Sequence, residues 1–132
     1  MIEILAAIIN NGKSEKTGKR IVNESTIEMM FTNQIPFFYE KYGISMFTVA
    51  CPLMVSKAVE MAEPPPPPQG FGLGFLLEGN SLQRGSAPGV ANTFWSFDRE
   101  RGIAAVINSQ ILPLGDPTVV PTWNKLLRVL YA

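Results

Sequence analysis

The segment that decides the fold is residues 70–78, which read GFGLGFLLE. Apolar side chains at positions 71, 73, 75 and 77 alternate with glycines at positions 70, 72 and 74. A period of two is typical of a β-strand, and glycines along one face allow another backbone or a helix to approach closely. The pattern predicts one strand here, followed by a turn at residues 78–81.

Two more strands are predicted further along the chain. Residues 90–98 alternate between two faces, with positions 92, 94 and 96 on one and positions 93, 95 and 97 on the other. Residues 98–102, DRERG, indicate a hairpin turn. Residues 103–107, IAAVI, are continuously apolar, which is typical of a central strand covered on both faces. The sequence therefore predicts an antiparallel sheet of about three strands.

Helices are predicted before these strands. Residues 2–9 are apolar around most of a helix, which indicates a buried element, and an Asn-Asn-Gly stop follows them. A second, short helix begins either with Ser25 and Glu28 as a capping box or with Asn23 as the N-cap. Pro36 is expected to close it. The side chains that this helix buries are predicted to be Ile27, Met30 and Phe31.

A last helix is predicted after the strands. Asp116 can cap it, and Pro117 suits its first helical position. Pro121 should bend this helix or delay its start. Its apolar stripe is expected to pack on the sheet, with partner binding as the alternative, and consists of Trp123, Leu126, Leu127 and Leu130.

These elements predict an α+β fold in one partial domain, residues 1–132. Its parts are a helical part at 1–38, an irregular proline-rich connection at 39–69, antiparallel strands at 70–115 and a C-terminal helix at 116–132. The first helix has an end but no N-cap residue, so we expect a chain cut from a longer one.

Five consecutive prolines, Pro64–Pro68, predict an extended polyproline II rod. The rod is interpreted as a stiff crossing between elements. The alternative is a docking peptide for a proline-binding domain, but no flanking cation of the usual kind accompanies it.

Composition excludes several kinds of chemistry. The chain has 132 residues, no net charge, no histidine and one cysteine, Cys51. Without histidine, a Ser-His-Asp triad cannot form, and one cysteine excludes an internal disulfide and a multi-cysteine metal cluster. We therefore expect no metal and no cofactor. Balanced charge predicts no nucleic-acid or membrane surface, and the single thiol favours a reducing, cytoplasmic compartment.

A search for a catalytic nucleophile finds none. In a Ser-x-x-Lys pair, one helical turn places the amine beside the hydroxyl, where it can accept the proton. No serine in this sequence has a lysine three residues later, and no tyrosine has an asparagine two residues later. The nearest spellings are Ser81 with Arg84, which cannot act as a base, and Thr122 with Lys125. We expect both to be ordinary surface pairs.

Several short motifs follow one another along the chain: TNQI at 32–35, GFGLGF at 70–75, Arg84, GVANTFW at 89–95, Asp98, RGI at 101–103 and SQILPLGD at 109–116. Their order and spacing resemble those of the β-lactamase-related serine hydrolases, including class C β-lactamase-like esterases and fungal transesterases. No single motif carries the resemblance, which covers nearly the whole chain but about the last third of a typical family member. It implies a partial β-lactamase/transpeptidase-like fold.

The resemblance also implies where a site would lie. The family's Ser-x-x-Lys and Tyr-x-Asn motifs lie upstream of the matched part, so this chain has no catalytic residue. The third family box maps onto Ala87-Pro88-Gly89, where Ala87 replaces an aromatic or basic residue. The backbone amide of Val90 resembles the strand-side oxyanion donor. Residues 16–18 spell the KTG version of that box, but they lie in a polar loop and are expected to form a turn.

These inferences predict the C-terminal part of a serine acyl hydrolase or transesterase, which supplies a pocket wall and one oxyanion donor. Such a part is expected to be inactive alone and to meet a small ester or lactam-like substrate only if N-terminal sequence completes it. In the alternative, the same residues serve only strand packing and turns. The chain is then a pseudoenzyme or interaction module that binds a protein partner through Pro64–Pro68 or an exposed sheet edge.

Overall fold

The computed structural model describes residues 1–37, 70–78 and 82–132. The proline-rich connection, with Pro64–Pro68 and Cys51, lies outside the described residues, as does Ser81. The elements are α1 (Ile2–Ile9), α2 (Glu24–Met30), β1 (Gly70–Phe71), β2 (Leu76–Glu78), β3 (Arg84–Gly89), β4 (Thr93–Asp98), β5 (Ile103–Ile107) and α3 (Val119–Leu130).

The strands form one antiparallel sheet in the order β1-β2-β3-β4-β5. The predicted α+β class is confirmed, but the described residues contain five strands where the sequence predicted about three. Each strand pairs with its neighbours in the chain, so the sheet is a meander. The predicted hairpin turn between β4 and β5 is confirmed: Gly102 has a φ of 66°, and the Asp98 carboxylate accepts a hydrogen bond from the Arg101 amide at 2.9 Å.

The segment 70–78 is a hairpin, and the prediction of a single strand there is wrong. Gly70 is in register with Leu77, and Phe71 with Leu76, so the chain reverses between them. The reversal uses Gly74, whose φ of 90° is accessible mainly to glycine. The same glycines that produce a period of two in the sequence therefore allow the turn that breaks the strand.

Strand β3 was missed by the sequence analysis, and β4 starts three residues later than predicted. The sequence of β3, RGSAPG, contains two glycines and a proline, which are uncommon in strands. Residues 90–92 form the turn before β4, and Asn92 has a φ of 55°, so it does not lie on a strand face. The alternation of side chains predicted Asn92 on a strand face because that pattern takes no account of the backbone φ angle.

Strand β5 was predicted to be central, but it is last in the strand order of the described residues. Of its five residues only Ala105 is buried. A continuous apolar run is therefore a weak sign of a central strand when two of its five residues are alanines.

The described residues divide into two compact units. In the first unit, made of residues 1–37, 70–78, 82–87 and 95–106, three phenylalanine rings pack edge to face. Their centroids are 5.3 Å apart for Phe31–Phe75, 5.6 Å for Phe31–Phe97 and 4.9 Å for Phe75–Phe97. The other members of this core are Leu5 and Ile8 of α1, Ile27 of α2 and Leu77 of β2.

The ends of the first two helices partly match expectation. Helix α1 has no side-chain cap at its start, as predicted, and Asn11 (φ 51°) and Gly12 (φ 84°) form its stop. Helix α2 has Asn23 at its N-cap, so the alternative capping box of Ser25 and Glu28 is wrong. The Glu28 carboxylate instead accepts a hydrogen bond from Arg99 Nη2 at 3.1 Å. The bond ties α2 to the turn after β4.

Helix α2 ends at Met30, well before the predicted stop at Pro36. The Met30 carbonyl accepts a hydrogen bond from the Leu73 amide at 3.2 Å, within the β1–β2 turn. A Cβ atom on Gly72 would come 1.9 Å from that carbonyl oxygen. The close approach of another backbone that the glycines predicted is therefore present, with the end of α2 as the partner.

The second unit consists, among the described residues, of 88–94 and 107–132. The Asp116 carboxylate caps α3 by accepting hydrogen bonds from the amides of Thr118 (2.9 Å) and Val119 (2.8 Å). Helix α3 starts at Val119, so Pro121 is its third residue, where a missing N–H costs no helical hydrogen bond. The predicted delay of the helix start is confirmed, but the prediction of Pro117 as its first residue is wrong, because Pro117 lies two residues before Val119.

The predicted apolar stripe of α3 is also confirmed. Trp123 is buried and stacks on Phe94 of β4, with ring centroids 5.9 Å apart. The remaining stripe residues, Leu126, Leu127 and Leu130, are half-buried. No helix among the described residues has the length and apolar character that crossing a bilayer requires.

We predict that Gly85→Ala destabilises the first unit by about 1–3 kcal/mol, the usual range for overpacking a core. The added Cβ would lie 2.5 Å from Phe97 Cζ and 2.7 Å from Phe75 Cδ2. Urea unfolding of Gly85→Ala, Phe97→Leu and the double variant measures this. The methyl group should cost less in the Phe97→Leu background, and strictly additive effects would contradict the crowding.

Candidate functional site

The four predicted site residues lie together where β3 ends. Ala87, Pro88 and Gly89 are the last residues of β3, and Val90 is the first residue of the turn to β4. Pro88 lies two residues past Ser86, the last β3 residue in register with β2. The missing N–H of Pro88 therefore costs no hydrogen bond in the β2–β3 register. The catalytic role of these residues stays a prediction.

The turn of residues 90–92 is held by the side chain of Asn92, which is fully buried. Its Nδ2 donates hydrogen bonds to the carbonyls of Ile111 and Pro113, each at 2.8 Å. Its Oδ1 accepts hydrogen bonds from the amides of Gly115 (2.7 Å) and Asp116 (3.0 Å). Two donors and one acceptor oxygen with two lone pairs are all that an amide side chain offers, so Asn92 is fully satisfied.

A second side chain fixes the backbone of the same turn. Ser109 Oγ lies 2.5 Å from the Ala91 carbonyl and 2.9 Å from the Asn92 carbonyl, in position to donate to either. The Ile111 amide also donates to the Ala91 carbonyl, at 3.4 Å. Both ends of the short segment around Val90 are therefore anchored, since Gly89 lies within β3 and Ala91 is bonded to residues 109 and 111.

This arrangement suits a backbone hydrogen-bond donor. The Val90 side chain is 40% exposed, so the turn lies at the surface of the second unit. A preorganised amide in such a place can stabilise negative charge that develops on a carbonyl oxygen, because it needs no reorganisation during the reaction. The hydrogen-bonding role of Asn92 was not predicted from the sequence, where its only signal was the turn tolerance of asparagine.

A polar cluster on β2 and β3 was also missed. Glu78 is in register with Arg84, and its Oε2 lies 3.2 Å from Arg84 Nε. The Ser86 hydroxyl donates a short hydrogen bond to the other carboxylate oxygen of Glu78. The carboxylate is thus shared between a cation and a hydroxyl on the neighbouring strand, which is a cross-strand contact that stabilises the pairing.

The other candidate motifs are structural where the structure describes them. Residues 16–18 lie in an exposed turn, in which the Thr17 amide bonds to Ser14 Oγ (3.3 Å) and the Gly18 amide to the Ser14 carbonyl (2.8 Å). The expectation of a turn is confirmed. Thr122 Oγ1 donates to the Thr118 carbonyl of its own helix at 2.7 Å. Within the described ranges, no three His, Cys, Asp or Glu side chains come together as a metal site would require.

Comparisons with known proteins find similarity among solved structures. No protein-family model and no curated protein matches the chain. Among solved structures, the chain is similar to a crystal structure described as "putative beta-lactamase from Bacteroides dorei DSM 17855". The TM-score is 0.48 and the sequence identity 22%, over 94% of this chain. The chain spans only 38% of the length of that protein.

We predict that Asn92→Ala destabilises the second unit by about 2–4 kcal/mol, because it removes all four hydrogen bonds of a fully buried side chain. Asn108→Ala is the matched control, since Asn108 is exposed. It should change stability by less than about 0.5 kcal/mol. Urea unfolding followed by tryptophan fluorescence measures both, and equal effects of the two variants would contradict the role of Asn92.

Proposed function

We propose that this chain is the C-terminal part of a β-lactamase-related serine acyl hydrolase or transesterase. The order of its motifs supports the family, and the anchored turn after β3 supports the site. In this proposal, Ala87, Pro88 and Gly89 form one wall of a pocket, and the Val90 amide donates to the oxygen of the reacting carbonyl. The observation that carries the site is the network of hydrogen bonds from Asn92 and Ser109.

The proposal divides the reaction between two stretches of polypeptide. Attack by a serine on an ester or lactam carbonyl places negative charge on its oxygen, and the N–H of Val90 would stabilise that charge. The serine, its lysine and the tyrosine would come from a stretch of polypeptide outside this sequence, since the sequence has no Ser-x-x-Lys and no Tyr-x-Asn. The chain would contribute binding and charge stabilisation but no nucleophile, so it would be inactive alone.

The test of this division uses the chain by itself. It should not hydrolyse p-nitrophenyl acetate or a chromogenic cephalosporin above the rate of the heat-denatured chain. After incubation with a fluorophosphonate probe, mass spectrometry should detect no modified serine. Specific labelling of one serine in the folded chain, with none after denaturation, would contradict the proposal.

The coding sequence immediately upstream provides an independent test. An in-frame Ser-x-x-Lys followed by Tyr-x-Asn supports the proposal, and the extended protein should hydrolyse the ester. Absence of both motifs would favour the alternative of an interaction module that binds a protein partner through Pro64–Pro68 or a sheet edge. A pull-down with the chain and with a variant in which alanine replaces the five prolines would then test that alternative.

A further inference from the structure

The turn that carries Val90 is held in place by hydrogen bonds from the side chain of a neighbouring residue, Asn92. Asn92 has its side chain fully buried, and all four of its side-chain hydrogen bonds reach the connection between β5 and α3. Its φ of 55° is unusual for a residue with a side chain, although asparagine tolerates it better than most. A backbone held in this conformation by a fully bonded side chain has very little freedom.

The restricted backbone of Asn92 also restricts Val90, because the two residues are only two positions apart in the chain. Gly89 is fixed as the last residue of β3, and a Cβ placed on it would lie 3.2 Å from the Thr93 carbonyl, at the start of β4. On the other side, the Ala91 carbonyl is held by Ser109 and Ile111. The Val90 N–H belongs to the peptide group between Gly89 and Val90, which lies between the end of β3 and the held Ala91 carbonyl. The shortness of this connection between two anchored points restricts the direction of that N–H.

We infer that Asn92 is a positioning residue for the reaction: it sets the direction of the Val90 N–H without touching the substrate. This inference rests on the proposed function, because the Val90 amide matters to catalysis only if it acts as the oxyanion donor. Hydrogen bonds to a developing charge depend on direction as well as distance, so a loosened turn weakens transition-state stabilisation more than substrate binding.

The structure distinguishes three substitutions in this network. Asn92→Gly keeps the positive φ accessible but removes all four side-chain bonds. Asn92→Asp keeps the acceptor for the amides of Gly115 and Asp116, but places an oxygen where Nδ2 donates to the Ile111 and Pro113 carbonyls. Ser109→Ala is milder, because it removes only the hydroxyl that binds the Ala91 and Asn92 carbonyls and leaves Asn92 intact.

The first measurement uses this chain and needs no activity. The 15N relaxation order parameter of the Val90 amide should lie near about 0.85 in the native chain and fall below about 0.6 in Asn92→Gly. Ile27→Ala is the control for lost stability, since Ile27 is fully buried in the first unit and distant in sequence from the turn. It should leave the Val90 order parameter unchanged. An equally rigid Val90 amide in Asn92→Gly would overturn the inference.

The second measurement uses the longer polypeptide that carries both this sequence and the Ser-x-x-Lys segment, with an activated ester as substrate. Loss of one oxyanion donor lowers kcat by about 100-fold to 1,000-fold, so a misdirected donor should lower kcat by about 10-fold or more. KM should change by less than about twofold, because the ground-state carbonyl gains little from this donor. Asn92→Asp and Ser109→Ala should lie between Asn92→Gly and the native protein.

The outcomes separate the two proposals. The native longer polypeptide is expected to hydrolyse the ester. If it does, and if Asn92→Gly and Ser109→Ala have the same kcat as Ile27→Ala, the role of Asn92 is overturned and the proposed function stands. If no longer polypeptide with the nucleophile exists, or if it has no esterase activity, the proposed function falls and this inference falls with it. If Asn92→Gly does not fold, Ser109→Ala decides the kinetic question.

Discussion

The second unit depends on burying an amide side chain with every hydrogen-bonding group satisfied. Burying a polar group without hydrogen-bond partners is costly, so the side chain of Asn92 can be buried only if carbonyls and amides bond to it. These partners belong to residues 111–116, whose backbone must therefore adopt a conformation that directs two carbonyls and two amides toward Asn92. The turn after β3 and the connection before α3 thus determine each other.

The first unit depends on a different interaction, the packing of large aromatic rings against the sheet. Gly85 has no side chain, and the space is taken by the rings of Phe75 and Phe97, which meet edge to face. Arg99 extends the same cluster, with its guanidinium carbon 4.6 Å from the centre of the Phe31 ring and its Nη2 bonded to Glu28. Aromatic packing, rather than β-propensity, therefore explains why a glycine belongs in the middle of this sheet.

The sequence allowed prediction of the features that depend on local periodicity. The helices at residues 2–9 and 119–130 follow from apolar spacing, and the β4–β5 turn follows from the polar run before Gly102. The expectation that the first helix is buried around most of its circumference is wrong, because Ile2 and Ile4 are exposed. The features that were missed depend on long-range pairing. Strand β3 is a strand because it lies between β2 and β4, and the hairpin at 70–78 depends on Met30 lying against Gly72. Asn92 was placed on a strand face because no pattern in the sequence encodes its four distant partners.

The candidate site shows why a backbone donor needs this kind of support. A side-chain donor is held by its own packing, whereas the direction of a backbone N–H depends on the peptide groups on either side. At the proposed site, Pro88 and Val90 are exposed and Ala87 is half-buried, and none of their side chains has a hydrogen-bonding group. The hydrogen bonds that hold the turn come from Asn92, which is fully buried, and from Ser109, which is half-buried. A donor built from main chain therefore depends on side chains outside its own residue, and in the proposed site those side chains are Asn92 and Ser109.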